Sequence, residues 1–430
     1  MFVTWRAPLL LALGVTVIPL RPVMSTVWLW TGLTLLVVLL DAWLAPRPGT
    51  LTLSRSGQWR TRPDAPVTTL LSVANPTKRR LRGLVRDAWQ PSAGARGNRH
   101  SLRLAPGAST VLETVLVPVR RGELHTDQVT IRLLGPLRLA GRQSSRPCPG
   151  RLRVLPAFPS RKHLPSRLQR LRELDGRAAV QVRGQGTEFD SLRDYVRGDD
   201  VRSIDWRATA RSPRVVVRTW RPERDRRVVI VLDTGRTSAG RIGEVPRLDS
   251  AMDAALLMAA LAGQAGERVD VVAGDRSVLL TLKGGHSRDF FGSLQDELAD
   301  IQPRLVETQW RRLVGAINSL GRQRGLVILI TPIEASAVLH SLLPVLPGLV
   351  KHHRVLLGSV RDPALAELAR DRNDAEQTYA AAAAEKAIQQ RRDTARLLTT
   401  LGVEVIDDDA EALPVALADR YLVLKAHGLL

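Results

Sequence analysis

The chain has 430 residues, 44% hydrophobic and 24% charged, an ordinary globular composition that excludes a disordered or low-complexity protein. Its formal net charge of +21 comes from 57 arginines and only six lysines, an imbalance that GC-rich coding explains as readily as binding, so charge alone argues for no partner. A single cysteine, Cys148, excludes intramolecular disulfides and a cysteine-based metal cluster, in keeping with a reducing compartment.

Residues 4–20 and 23–44 are apolar runs separated by Arg21 and Pro22, which reads as a transmembrane hairpin over residues 1–46. The second run is long enough to cross a hydrocarbon core of about 30 Å, and Trp28, Trp30 and Trp43 lie near its ends as interfacial aromatics do. The first is shorter. A cleaved signal peptide is its rival reading, although no small-x-small site precedes the next apolar run. Arg47, Arg55, Arg60 and Arg62 follow the second run, against Arg21 alone in the turn, so the expectation is a multi-pass protein of the cell membrane with its large C-terminal part cytoplasmic.

From 47 to 155 short β-prone runs such as VTTLLSVAN, STVLETVLVPV and DQVTIRLL alternate with Gly, Pro and Asn turns, the pattern of a small β-sandwich. Residues 51–150 hold 17 basic and five acidic side chains, a net of +12 beside the membrane segments. That face can adsorb to an anionic leaflet or simply be a solvated basic surface.

Residues 156–166 read as a linker that opens a joining segment, 156–227. Within it, Arg183 to Arg211 reads RGQGTEFDSLRDYVRGDDVRSIDWRATAR, the densest interleaving of Gly, acid, Arg and aromatic residues in the chain. Phe189, Leu192 and Tyr195 or Val196 recur at helical spacing, which predicts a short amphipathic helix carrying Glu188, Asp190, Arg193 and Asp194 and ended by Gly198. Asp199, Asp200, Arg202, Asp205, Arg207 and Arg211 then stand close enough for guanidinium–carboxylate pairs to lock a turn around Trp206. Gly184 and Gly186 are not a phosphate loop, because no hydrophobic strand precedes them and no Lys-Ser/Thr follows.

Residues 228–430 alternate strands and helices. The strands expected are Arg227–Asp233, Arg268–Ala273, Ser277–Leu282, Gly325–Thr331, His353–Val360 and Val403–Ile406. The intervening helices include 248–264, 335–349 and 375–400, and a last helix begins at Asp409. The fold class is α/β, a doubly wound sheet whose site lies in the loops at the carboxyl ends of its strands.

The pattern G-x-G-x-E-F-x-x-L-R-x-Y-x-x-G-D-D-x-R-x-I-D-W-x-A-x-A-R resembles the signature of the bacterial domain-of-unknown-function 58 family. Further likeness runs through Arg361-Asp362-Pro363, Tyr379–Glu385 and Asp419–Lys425, and the Val117–Gly122 piece is similar to a turn of that family's β module. The resemblance implies two N-terminal membrane helices, a β-rich module and a C-terminal von Willebrand factor A-like domain. It also implies a partner, a MoxR-type AAA+ ATPase, in protein assembly or envelope maintenance.

An A-like domain of that kind binds Mg²⁺ through an Asp-x-Ser-x-Ser loop, a Thr and a further Asp. This sequence offers Asp233, Thr237 and Thr308, but Gly235 stands where a hydroxyl is needed, Arg236 adds positive charge, and Pro332 follows Thr331 where an acid is expected. Loss of two oxygen ligands is serious for a cation that demands near-octahedral geometry, so no cofactor is expected and Mg²⁺ has only a degenerate site.

No Ser-His-Asp order, nucleophile elbow or Walker motif names a reaction. The leading expectation is a membrane-anchored interaction or scaffold protein whose signature residues Glu188, Phe189, Leu192, Arg193, Tyr195, Gly198, Asp199, Asp200, Arg202, Asp205, Trp206 and Arg211 join domains and meet the partner. A metal-assisted hydrolase built on Asp199, Asp200 and Asp205 is the alternative, and it requires those carboxylates to converge. A nucleic-acid or anionic-lipid surface binder is the third, and no reader motif supports the nucleic-acid form.

Overall fold

The computed structural model describes every residue except 21, 58, 182–187, 222–225, 285–288 and 322. Gly184 and Gly186 therefore lie outside the described residues, as do the side chains of Glu188 and Phe189. The chain forms two compact units, Met1–Pro156 and Ala157–Leu430.

The described residues of the first unit form ten strands: β1 Phe2–Val3, β2 Thr52–Arg55, β3 Trp59–Thr61, β4 Val67–Ala74, β5 Leu81–Asp87, β6 Ala95–Arg96, β7 Arg99–Leu104, β8 Ser109–Leu116, β9 Gly122–Leu134 and β10 Ala140–Val154. One sheet runs β1-β10-β9-β5-β7 with β3 also on β10, and the other runs β2-β4-β8-β6. Alternation decides which side chains face inward: Leu71 and Val73 of β4 are buried from one sheet, and Val129, Ile131 and Leu133 of β9 from the other. All five share a single apolar cluster with Cys148, so the two sheets enclose one core as a sandwich. Beside it Arg55 and Asp87 form an inaccessible bidentate pair, and the Trp89 indole also donates to Asp87 at 3.0 Å. Arg121, in the expected arginine-glycine turn, is buried, and burial lowers its pKa to about 10.

The second apolar run is a 21-residue helix, Met24–Leu44, with most of its large apolar side chains exposed. It alone among the described helices is long and apolar enough to cross a membrane. The first run is broken at Leu13 into short helices, Arg6–Ala12 and Gly14–Val17, followed by a 3-10 turn. Trp30 also makes a helix-to-helix contact: its indole donates to the Leu11 carbonyl, and a Cβ on Gly14 would lie 2.5 Å from its ring.

The second unit begins where a linker was expected. Residues 159–181 are helical, and Phe158 and Leu171 are buried in the α/β core, because an apolar stripe on that helix finds the sheet's helices to pack against. A two-stranded hairpin follows, β11 Glu188–Asp194 paired with β12 Val216–Arg221. The main sheet comprises β13 Arg227–Asp233, β16 Arg268–Gly274, β17 Val278–Leu282, β18 Gly325–Ile330, β19 Arg354–Val360 and β20 Val403–Asp408, and between β13 and β16 lies a small hairpin of β14 Arg241–Ile242 and β15 Val245–Pro246. Its order is β17-β16-β13-β18-β19-β20, with every pairing parallel except that of β17.

Strand β13 is buried throughout, as a central parallel strand must be. Val228, Ile230 and Leu232 face one core with the helices Arg247–Gln264 and Ala412–Ala426, whereas Val229 and Val231 face the other with the helix Trp310–Ser319. Helices therefore cover both faces. The chain turns from β13 toward β16 on one side and toward β18, β19 and β20 on the other, so strand order reverses at β13. Such a reversal opens a crevice at the carboxyl edge. At the opposite edge Arg227 and Asp270, 3% and 0% exposed, pair at 2.5 Å, with Leu320 carbonyl and Gly284 N–H completing their bonds.

Candidate functional site

From Glu188 onward the signature segment is a strand followed by a loop that holds one short helical turn, not the amphipathic helix expected around Phe189 and Leu192. Residues Glu188–Asp194 form β11, and the register places Leu192 opposite Arg218 and Asp194 opposite Val216. The helical spacing of Phe189, Leu192 and Val196 lost to β-branched Val216 and Val217, which supply a strand for pairing and are themselves buried. Tyr195 extends the ladder by donating its N–H to Val215, and Gly198, at φ 112°, takes a turn that side chains other than glycine rarely adopt.

Beyond it the acids act one at a time. Asp199 accepts from Arg193 at 2.5 Å and from the Val196 N–H at 2.9 Å, and the Arg193 bond leads in holding its carboxyl below the usual range. Asp200 caps a 3-10 turn through the Arg202 N–H at 3.0 Å. Asp205 caps the short helix Trp206–Thr209 through the N–H groups of Arg207 and Ala208 and also holds Arg218 at 2.8 Å. Its pKa is lowered, first by the Ala208 N–H and then by the Arg218 bond. Each carboxylate serves a different turn, and no group of three His, Cys, Asp or Glu able to hold a metal occurs among the described residues. The convergence required of a hydrolytic centre at Asp199, Asp200 and Asp205 is absent.

Trp206 is not the buried anchor expected of it: it is 69% exposed. Caps close the turn by themselves, so nothing requires the indole inside. Val196 and Val201 are exposed with it, and the side chains of Arg202 and Arg211 form no ion pair among the described residues. The loop thus engages its carboxylates with local backbone and arginine partners while Val196, Val201, Arg202 and Trp206 stand exposed.

The second constellation stands at the carboxyl end of β13. Asp233 is 2% exposed, and its Oδ1 accepts from Thr308 at 2.5 Å and from the Gly235 N–H at 2.8 Å. Its Oδ2 accepts from Thr331 at 2.7 Å and from Thr237 at 3.5 Å. Burial pushes the carboxyl pKa up, against the pull of these donors. The structure thus brings together the expected Asp233, Thr237 and Thr308 and adds Thr331, whose signal in the sequence was its place directly after the neighbouring parallel strand. The loop Asp233–Thr237 is tied to the 304–309 loop by backbone bonds from Arg236 to Val306 and from Arg304 to Thr234. At the mouth Arg236 pairs with Glu307 at 2.8 Å, and Trp310, Pro332 and Val338 complete the wall.

Sequence reasoning missed a third polar site, in the first unit. Asp41, inside the apolar helix, is 1% exposed and accepts three backbone N–H groups, from Leu137 at 2.7 Å, Leu139 at 2.8 Å and Ala140 at 2.9 Å. Its signal was plain enough: an acid within an otherwise uncharged apolar run needs a partner.

Residues 191–399 match the model of a family described as "Protein of unknown function DUF58". No curated protein matches the chain. Among solved structures, the ASH/PapD-like domain of human CEP192 aligns at 10% identity over 26% of this chain and 91% of that one, with a TM-score of 0.22. A native-conformation E. coli alpha-2-macroglobulin aligns at 15% identity over 26% and 7% of the two chains, with a TM-score of 0.19. The CARDB domain of the PF1109 protein from Pyrococcus furiosus aligns at 13% identity over 24% and 91%, with a TM-score of 0.17.

Proposed function

Over residues 191–399 the chain belongs to the DUF58 family, and from that premise we propose that it is a membrane-anchored scaffold that presents the signature loop to a protein partner. The partner class is the one the family likeness suggests, a MoxR-type AAA+ ATPase acting in protein assembly or envelope maintenance. One observation carries the reading: Asp199, Asp200 and Asp205 are each consumed by separate local bonds, while Trp206, 69% exposed, and the arginines beside it point outward. Trp and Arg are the residue types that dominate binding energy at protein interfaces.

The strand order, the buried Asp233 at the point of reversal and the helices on both faces support a von Willebrand A-like, doubly wound domain. They do not favour its metal. Mg²⁺ would find one carboxylate and three hydroxyls, and a Cβ on Gly235 would lie 2.1 Å from Thr308 Oγ1, so Thr308 fills the space from which a second loop hydroxyl would be offered.

A multi-pass anchor with the C-terminal part cytoplasmic is the topology we favour. It is supported by Thr4 and Asp41 binding one and the same turn, which brings the two ends of the apolar segment together, and by the arginines that follow it.

The test is affinity purification from detergent-solubilised native membranes with wild type and a Trp206→Ala, Arg202→Glu double variant. Co-elution of an AAA+ ATPase with wild type, reduced at least about tenfold by the variant, is the expected result, since loss of one interface anchor costs about 2 kcal/mol or more. Equal recovery with both proteins, or no ATPase with either, overturns the assignment.

A further inference from the structure

The last turn of the apolar helix is locked to a single β-turn. Gly135–Leu139 connects β9 to β10, and its N–H groups at 137, 139 and 140 converge on Asp41 as an anion-binding nest. Thr4 donates its N–H to Leu139 and its hydroxyl to Arg138, β1 pairs with Ala140 and Gly141, and Arg142 donates to the carbonyls of Ala42 and Trp43. A Cβ on Gly135 would lie 2.4 Å from Asp41 Oδ1, so glycine is required for so close an approach.

Asp41 lies three residues before the helix end at Leu44, about 4.5 Å along the axis at 1.5 Å per residue. The turn is therefore level with the final helical turn and does not hang below it. What stands on this turn and on the residues bonded to it suits a bilayer interface: Leu137 at its tip is 55% exposed, Trp5, next to the turn-bound Thr4, is 70% exposed, and Trp43, whose carbonyl accepts from Arg142, is 68% exposed. Arg138 has no acidic partner among the described residues and is held at φ 60°, a conformation a non-glycine residue seldom takes. Tryptophan belongs at headgroup level, and arginine there meets lipid phosphate.

We propose that the β9–β10 turn is a membrane-interface wedge, with Leu137 seated in the bilayer surface and Arg138 on the phosphate of anionic headgroups. The β-sandwich is then held at a fixed attitude to the membrane. This rests on the reading that the Met24–Leu44 helix is embedded in a membrane.

The opposite end of the sandwich supplies an internal control. Val119 precedes β9 and is 63% exposed, and the 13 residues of β9 separate it from the turn by about 40 Å at roughly 3.3 Å per residue. Full-length protein carrying Leu137→Cys or, separately, Val119→Cys is labelled with an environment-sensitive fluorophore, the native Cys148 being buried. Each is reconstituted into phosphatidylcholine vesicles with or without phosphatidylglycerol and with a doxyl-lipid quencher. The Leu137 probe should shift to the blue and be quenched at least about twofold more than the Val119 probe. Its quenching should weaken without phosphatidylglycerol and in Arg138→Gly, which keeps the backbone conformation and removes the charge. A Leu137 probe in water on protein that floats with the vesicles overturns the wedge while leaving the anchor intact. Protein that does not float overturns both. Quenching indifferent to phosphatidylglycerol and to Arg138→Gly overturns the headgroup contact.

Discussion

The Thr308 hydroxyl donates to Asp233 Oδ1 at 2.5 Å, and Thr308 Oγ1 lies 2.1 Å from where a Cβ on Gly235 would be. The hydroxyl network therefore depends on glycine at 235: any side chain there must first displace Thr308 from the buried carboxylate. This contact adds to the backbone bonds that already join the two loops.

For that reason Gly235→Ser is expected to destabilise the α/β unit and not to create a metal site. Unfolding should show a loss of about 1 to 3 kcal/mol, the range for overpacking a well-filled site, and calorimetry with Mg²⁺ should show no saturable heat. A micromolar site in the variant would contradict the fit argued above.

Asp233 itself sets a pH dependence. Its folded-state pKa is raised, chiefly by burial, above the unfolded value of about 3.9. The sign follows from linkage: the folded state is favoured most below about pH 4 on account of this group, and that contribution is lost as pH rises through the raised folded value. Asp233→Asn keeps one acceptor oxygen without the charge, and the Thr237 and Thr331 hydroxyls can turn to accept from its NH2, so it should flatten this component of the stability–pH curve. Asp233→Ala leaves Thr308 and Thr331 without their acceptor and should cost about 2 to 4 kcal/mol. Melting temperature across pH 4 to 8 for the three proteins checks both statements.

At the other end of the sheet, Arg227 and Asp270 are paired and inaccessible. Asp270→Asn or Arg227→Met should each cost about 3 to 5 kcal/mol, because each strands a buried charge. Denaturant unfolding of the single variants measures this, and a change under about 1 kcal/mol would mean that water reaches the pair.

The signature loop should behave in the opposite way. Arg202 and Trp206 are exposed, so Arg202→Gln and Trp206→Ala are expected within about 0.5 kcal/mol of wild type in global unfolding. Asp205→Ala removes the cap of the Trp206–Thr209 turn and should raise hydrogen exchange at Arg207 and Ala208. A large fall in melting temperature for Arg202→Gln would restore the buried ion network in place of the exposed surface.

In the first unit, Gly135→Ala should loosen the helix from the β-turn, since its Cβ collides with both the carboxylate and the carbonyl of Asp41. Limited proteolysis between 44 and 52 should accelerate several-fold, as should cleavage in Asp41→Ala. Unchanged cleavage in both would show that the clamp does not hold the helix.

Much of the fold was written locally. The strand Arg227–Asp233 and the helix Ala375–Thr400 fall where their patterns put them, because a continuous buried apolar run and a long 3.6-residue repeat each have one way to hide their hydrophobic surface. The apolar pattern identified the helix near the N-terminus, whereas Asp233, Thr237 and Thr308 were grouped only through the resemblance to A-like domains. The sequence by itself misjudged Glu188–Asp194, where a seven-residue segment satisfies helix and strand periodicity about equally, and only the partner strand Val216–Arg221 decides between them. It placed Trp206 inside, since spacing cannot tell whether acids bind arginines or backbone. The caps formed by Asp200 and Asp205 and the nest around Asp41 depend on where N–H groups converge in three dimensions. A charged side chain announces that it needs partners, and tertiary structure alone chooses them.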